Sequence, residues 1–239
     1  MNFKLDKYGR DFPFYNNNPK LRARDVIILI LGIIVSFLVL AIVPIRVLGS
    51  TLFSIINVIT LAYACRWDLS LFFKKFHEDD IGIIIFCVIG YYLTSFIVGF
   101  TLLSNGVSHT QNPVMYNVTY VTLVMTVIQI VGEEIIRLVP FILVLALVYR
   151  FSKNRMLGII IGLIVSSGLF GLIHVGAYSN LLFSVLNVGL SSMFVTLAYI
   201  RTKNIWVSYT VHAIIDLVIL SLVMILQELN IPISLLFLF

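Results

Sequence analysis

The sequence predicts an all-α, polytopic integral membrane protein, a helix bundle with about seven transmembrane helices. The first observation behind this prediction is composition. Of the 239 residues, 60% are apolar and only 11% are charged, whereas a soluble domain carries about 25% charged residues. The mean hydropathy is +1.07. These values exclude a water-soluble globule, a disordered chain and a coiled coil, and leave the lipid bilayer as the solvent.

The second observation is a series of apolar runs of membrane-spanning length. A hydrocarbon core of about 30 Å requires about 20 helical residues. The loops between the runs are short, so we expect no soluble domain on either side of the membrane. The predicted spans are 26–45, 48–65, 81–103, 118–149, 156–177, 181–200 and 205–227.

The third observation is the distribution of basic residues, which accumulate in cytosolic loops of membrane proteins. Fourteen of the 16 basic residues precede the first predicted span or follow the second, fourth or sixth. Arg46 is the exception in the alternate loops, and Arg137 lies within a span. This pattern predicts a multi-pass protein of the plasma membrane with a cytosolic N-terminus and an external C-terminus. It also accounts for the net charge of +5 without a nucleic-acid partner.

Two domains follow from this pattern. Residues 1–25 are charged and no small-residue cleavage site follows the first apolar run, so we predict a retained cytosolic segment and not a signal peptide. Residues 26–239 form one transmembrane domain. Cys65 and Cys87 lie at or within apolar runs, which does not indicate a disulfide framework.

A few ionisable residues lie inside the predicted spans, where charge is costly and tends to mark function. They are concentrated in the C-terminal half of the chain, which predicts a catalytic core within 118–220. These residues are Glu133, Glu134 and Arg137 in the fourth span, His174 in the fifth, and His212 and Asp216 in the seventh.

Helical geometry limits how these residues combine. Glu133 and Glu134 are adjacent, about 100° apart around the helix axis, so one is expected to face a cavity and the other to support the site. Arg137 follows them at i+4 and i+3 and can pair with either. His212 and Asp216 are at i and i+4, on one face of their helix.

A carboxylate beside an imidazole can deprotonate water, while a second imidazole donates to the developing oxyanion. This chemistry hydrolyses an amide without a covalent intermediate. Other membrane-protease chemistries lack their residues: there is no HExxH zinc motif, no Gly-x-Ser-Gly loop, and no aspartate pair, because Asp216 is the only aspartate placed within a span. We therefore expect no metal and no other cofactor.

The motifs resemble those of the CPBP group of intramembrane proteases, also called the Abi or CAAX-protease family. That family includes the Ras-converting CAAX endoprotease and bacterial bacteriocin-immunity proteins. Its pattern is Glu-Glu with a following Arg, then Phe-x-x-x-His, then His-x-x-x-Asn or Asp. Glu133-Glu134, Phe170 to His174 and His212 to Asp216 match in order, over about 40% of the chain.

The resemblance implies specific roles. Glu133 is the general base, His174 holds the water, and His212 with Asp216 forms the oxyanion hole, while Phe170 supports the site. Glu134 supports the site through Arg137.

Two departures from the family pattern bear on activity. The family arginine usually follows one residue later, where this chain has Leu138, so Arg137 is rotated by about 100°. If Arg137 paired with Glu133, it would weaken the proposed base. Asp216 stands where many members have Asn, and it must be protonated or serve to orient His212.

The distances of the three motifs from the cytosolic charges give a further expectation. Counted at ~1.5 Å per residue, Glu133 and His174 lie farther from the cytosolic charges than His212 does. The three motifs meet only if the fourth and fifth helices extend into the cytosol, and we expect a cavity that opens toward that side.

Three functions remain open. The first is an intramembrane endopeptidase acting on a peptide or membrane-protein segment near the cytosolic face, in peptide-pheromone or bacteriocin processing or self-immunity. The second is a catalytically altered member that acts as a scaffold or regulator of a membrane partner protein. The third is an ion- or proton-coupled transporter, although no inverted repeat is present.

Overall fold

The structure is a computed structural model that describes residues 9–232. Residues 1–8 of the predicted cytosolic segment and 233–239 of the predicted external tail lie outside the described residues. Every regular element in the described part is helical, which confirms the all-α prediction. The helices are α1 (Ala23–Ile42), α2 (Arg46–Ala64), α3 (Asp80–Ser104), α4 (Tyr120–Ser152), α5 (Arg155–Ile173), α6 (Val175–Tyr178), α7 (Leu181–Phe183), α8 (Leu190–Thr202) and α9 (Ile205–Glu228).

Six helical segments of the described chain are long and apolar enough to cross a membrane: α1, α2, α3, α5, the continuous stretch Leu181–Thr202, and α9. Helix α4, which covers the predicted fourth span, is not among these six. It is 33 residues long and carries Glu133, Glu134 and Arg137 near its centre. The described bundle therefore consists of these six apolar segments and one longer helix that contains Glu133, Glu134 and Arg137.

Helix α4 packs against both α5 and α2. At Gly158 and Gly162 of α5, an added Cβ would lie 3.1 and 2.9 Å from backbone oxygens of α4. On the other side, the Phe53 ring of α2 occupies the space where Gly132 of α4 has no side chain. Small residues at these crossings let the helix backbones approach closely.

The fifth predicted span, 156–177, is interrupted. Helix α5 ends at Ile173, and His174 is its C-terminal cap. The short helices α6 and α7 follow, and a π-helical turn at Ser184–Gly189 leads into α8. An added Cβ at Gly171 would lie 2.6 Å from the Ser184 oxygen, so this irregular segment packs directly on the end of α5.

The turn between α8 and α9 lies inside the bundle. Lys203 and Asn204 are fully buried, and Asn204 exchanges two hydrogen bonds of 3.0 Å with the backbone of Lys74. Residues 9–22, the N-terminal segment, cover this turn from the other side. There Phe12 packs on the Phe141 ring and the Lys203 ammonium lies 4.7 Å from the centre of the Phe12 ring.

Glu133 and His212 lie at different distances from the basic ends of their helices, and the position of the buried turn accounts for this difference. At ~1.5 Å per residue, Glu133 is about 28 Å from the end of α4, whereas His212 is about 10 Å from the start of α9. Because these residues lie side by side, α4 and α5 extend well beyond the α8–α9 turn. That these two helices extend into the cytosol stays a prediction.

Candidate active site

Glu133 and Glu134 point in different directions, as their spacing on α4 predicts. The Glu134 side chain is fully buried, whereas that of Glu133 is 16% exposed and lines a cavity. The two carboxylates nevertheless meet at one side chain, that of His212 on α9.

Glu134 belongs to a buried cluster with Arg137 and His212. The Arg137 guanidinium donates to Glu134 Oε1, and both side chains are fully buried. The same Oε1 atom accepts from His212 Nδ1 at 2.8 Å. Of the two pairings open to Arg137, the structure therefore shows the one with Glu134, and Glu133 is left without an arginine partner that would weaken it as a base.

The other ring nitrogen of His212 lies between two carboxylates. Its Nε2 atom is 3.8 Å from Glu133 Oε2 and 3.8 Å from Asp216 Oδ2. Both distances exceed a direct hydrogen bond but lie within the range of an ion pair. Because Glu134 fixes the Nδ1 side, Nε2 is the nitrogen available for chemistry.

His174 is oriented by its own helix. Its Nδ1 atom lies 2.7 Å from the Phe170 carbonyl oxygen, and since a carbonyl only accepts, Nδ1 carries the proton. Nε2 is then the ring nitrogen that can accept a hydrogen bond from a water when the ring carries one proton. The His174 ring packs on the Phe170 ring, with centroids 4.5 Å apart.

The Phe170 ring connects the two halves of the site. It contacts the His174 ring on its own helix and the His212 ring in an edge-on arrangement at 5.9 Å. The Arg137 guanidinium lies 5.6 Å from its centre. One aromatic side chain therefore contacts both histidines and the arginine, and its supporting role stays a prediction.

The proposed site residues converge on one cavity of about 270 Å³. Glu133, His174, His212 and Asp216 all line it. Three different helices thus bring together two carboxylates and two imidazoles, whereas Glu134 and Arg137 lie behind the cavity wall.

The cavity extends toward the end of the bundle opposite the basic loops. On α4 its lining residues run from Met125 to Glu133, and on α9 they run from His212 to Leu220. Its outer part is lined by the partly exposed residues Asn112 and Val114 of the α3–α4 loop. The expectation of a cavity that opens toward the basic end was therefore wrong, because the Glu134–Arg137 cluster and the buried α8–α9 turn close that side.

Two side chains linked to Glu133 by hydrogen bonds, Gln129 and Ser50, are not predicted from the sequence. Gln129 Nε2 donates to Glu133 Oε1 at 2.7 Å, and Ser50 Oγ of α2 donates to Gln129 Oε1 at 2.9 Å. Ser54, one turn later on α2, accepts from the Gly132 amide and donates to the Ile128 carbonyl. The available signal was the i, i+4 spacing of Gln129 and Glu133, combined with serines one turn apart on α2.

Within the described residues, no group of three or more histidine, cysteine, aspartate or glutamate side chains is arranged to hold a metal ion.

Comparison with known proteins supports the resemblance in the segment that carries the site. Residues 115–218 match the family model of the type II CAAX prenyl endopeptidase Rce1-like proteins. No curated protein and no solved structure matches the chain. The matched segment spans less than half of the chain but holds all the site residues named in advance. The chain is a multi-pass membrane protein, and its residues 115–218 are similar to the type II CAAX prenyl endopeptidase Rce1-like family.

Proposed function

We propose that this protein is an intramembrane endopeptidase that hydrolyses a peptide bond with a water activated by Glu133. The observation that carries the proposal is the convergence of Glu133, His174, His212 and Asp216 on one cavity. The similarity of residues 115–218 to an endopeptidase family supports the same reaction class.

Glu133 and His174 position the water. The Glu133 carboxylate accepts one water proton, and the unprotonated Nε2 of His174 accepts a hydrogen bond from the other. A general base must reach its proton directly or through one water, and Glu133 has one oxygen held by Gln129 and the second facing His212 Nε2 at 3.8 Å.

His212 stabilises the oxyanion. With both ring nitrogens protonated, it donates Nδ1–H to Glu134 and Nε2–H to the oxyanion that forms on the carbonyl. Preorganised hydrogen-bond donors that point at a developing oxyanion are a large source of rate enhancement. Asp216, 3.8 Å from Nε2, orients the ring through its charge or through a bridging water.

Glu133 both accepts the water proton and returns it in the later step. The water oxygen bonds to the carbonyl carbon as its proton moves to the Glu133 carboxylate. The C–N bond then breaks as Glu133 returns that proton to the leaving nitrogen. The products are a carboxylic acid and an amine.

The test is peptide hydrolysis by the purified, reconstituted protein, assayed with a library of fluorogenic peptides that includes a farnesylated CAAX peptide. We expect Glu133→Gln to lower the rate about 10²- to 10⁴-fold, the usual contribution of a general base. His174→Ala and His212→Ala should also lower it. Glu228→Gln is the matched control, because Glu228 is exposed at the end of α9.

Unchanged hydrolysis in Glu133→Gln at equal expression would overturn the proposal. If no peptide is cleaved and Glu133→Gln and His174→Ala both retain the cellular phenotype, the scaffold function replaces it. Processing of a peptide pheromone or a bacteriocin precursor, or self-immunity, stays a prediction about the biological role.

A further inference from the structure

We infer that the substrate of the proposed endopeptidase reaches the cavity from the extracytoplasmic side of the membrane as an uncharged peptide segment. This inference rests on the proposed function and on three observations. They are the direction of the cavity, the charge of its open end at Asn112 and Val114, called the mouth, and the distribution of basic residues between the two ends of the bundle.

The cavity has a closed end and an open end. Behind His212 it is closed by the buried Glu134–Arg137 pair. Beyond that pair lies the buried turn at Lys203 and Asn204. In the other direction, the lining continues through Thr126 and Gln129 to the partly exposed side chain of Asn112. A peptide that follows this lining from the open end to Glu133 therefore passes the α3–α4 loop.

The α3–α4 loop is fixed beside this entrance. The Thr110 amide donates to the Tyr178 carbonyl at 3.0 Å, and Asn180 Nδ2 donates to the Ser108 carbonyl at 2.7 Å. The His109 ring stacks on Phe183 with centroids 3.7 Å apart. These contacts hold the loop against the segment that follows His174, so the mouth is a formed feature of the fold.

The mouth is uncharged. Residues 104–119 contain no Lys, Arg, Asp or Glu, and the cavity wall nearby combines amides with Met115, Met125 and Leu220. Methionine adapts to irregular apolar shapes, and amide groups can pair with a peptide backbone. This lining fits a segment of uncharged residues and offers no cation to a substrate carboxylate.

The charge distribution assigns the two ends to the two sides of the membrane. Arg150, Lys153, Arg155, Arg201 and Lys203 lie at the far end of α4, α5 and α8 from the mouth. Positive loops are retained in the cytosol, so the closed end is cytosolic and the mouth is extracytoplasmic. A substrate confined to the cytosol could not reach Glu133 by this route.

The test is cysteine accessibility in intact cells with a membrane-impermeant thiol reagent. The background is Cys65→Ala, Cys87→Ala, because both native thiols are buried. Tyr116→Cys reports on the mouth, where Tyr116 is 63% exposed, and Thr126→Cys reports on the cavity. Lys153→Cys, exposed at the basic end, is the matched control for the cytosolic side.

We expect Tyr116→Cys and Thr126→Cys to be labelled in intact cells, and Lys153→Cys only after the membrane is opened. Labelling of Thr126→Cys only from the side of Lys153, or from neither side while Tyr116→Cys reacts, would overturn the inference. So would labelling of Tyr116→Cys only after opening. Labelling requires no catalysis, so failure here is distinct from an unchanged rate in Glu133→Gln, which tests the proposed function alone.

Discussion

Two buried carboxylate–arginine pairs in this protein differ in what surrounds them. Asp25 at the start of α1 pairs with Arg66 after α2 through two contacts, at 3.0 and 2.7 Å. Glu134 pairs with Arg137 within α4. Both carboxylates are fully buried, but the Arg66 side chain is 33% exposed and that of Arg137 is not exposed at all.

The partners of the Asp25 pair are structural. Asp25 also accepts from the Arg22 amide at 2.8 Å, and Arg66 donates to backbone oxygens of Lys20 and Ala64. Each of these bonds joins the end of one helix to a neighbouring turn. The pair therefore fixes how α1 and α2 meet at the basic end of the bundle.

The Glu134 pair has a third, ionisable partner. His212 donates to the same carboxylate from one ring nitrogen and faces Glu133 and the cavity with the other. The comparison shows that a buried ion pair alone does not identify a site. The pair becomes informative when one of its atoms orients a group that contacts a cavity.

The largest effect is expected from Arg137→Met. It removes the partner of a fully buried carboxylate, and breaking such a pair costs about 3–5 kcal/mol. We expect this loss in the free energy of unfolding in detergent, together with loss of peptide hydrolysis. The double variant Glu134→Gln, Arg137→Met should recover part of the stability but not the activity. Full stability of Arg137→Met would contradict the assignment.

Some of these features can be predicted from the sequence and others cannot. The spans are predictable because hydropathy accumulates over some 20 residues, and Glu133, Glu134 and His212 stand out because charge is costly in lipid. Gln129 and Ser50 do not stand out, since neutral polar side chains are common in membrane helices and their role depends on how α2 packs on α4.

Two further features depend on tertiary packing. Phe12 lies in a charged N-terminal segment, and only the fold shows that its side chain is buried against Phe141. The direction of the cavity follows from the buried turn at Lys203. The sequence periodicity of α8 and α9 does not predict that this turn is buried. Contacts between segments distant in the chain, such as Phe72 with Ile205, determine both.

An intermediate effect is expected from Arg66→Met. Hydrogen bonds to charged groups contribute about 1.5–3 kcal/mol, and partial exposure lets water replace part of what Asp25 loses. We expect a loss in unfolding free energy that is smaller than that of Arg137→Met, with hydrolysis per folded molecule retained. Arg24→Met is the matched control, because Arg24 is 59% exposed and 3.8 Å from Asp25; its effect should stay within about 0.5 kcal/mol. Equal losses in both variants would contradict the comparison.

The smallest effects on stability, but specific ones on catalysis, are expected along the path from Ser50 through Gln129 to Glu133. Gln129→Leu removes the donor that holds the Glu133 carboxylate, and we expect kcat to fall about tenfold while KM changes little, because the donor is a charge-assisted hydrogen bond. Gln129→Glu should fall further, since it places a like charge at i, i+4 from Glu133.

Ser50→Ala leaves the bond between Gln129 and Glu133 in place but frees the other end of the amide, so kcat should fall less than in Gln129→Leu. Thr51→Ala is its matched control on α2, because the exposed Thr51 hydroxyl bonds only to the Val47 carbonyl of its own helix. If Gln129 served only to pack α4 against α2, Leu and Glu at this position would alter the unfolding midpoint and leave kcat per folded molecule unchanged. A steady-state measurement of kcat and KM on folded protein, with Leu less impaired than Glu and Ser50→Ala less impaired than either, separates positioning of the base from packing.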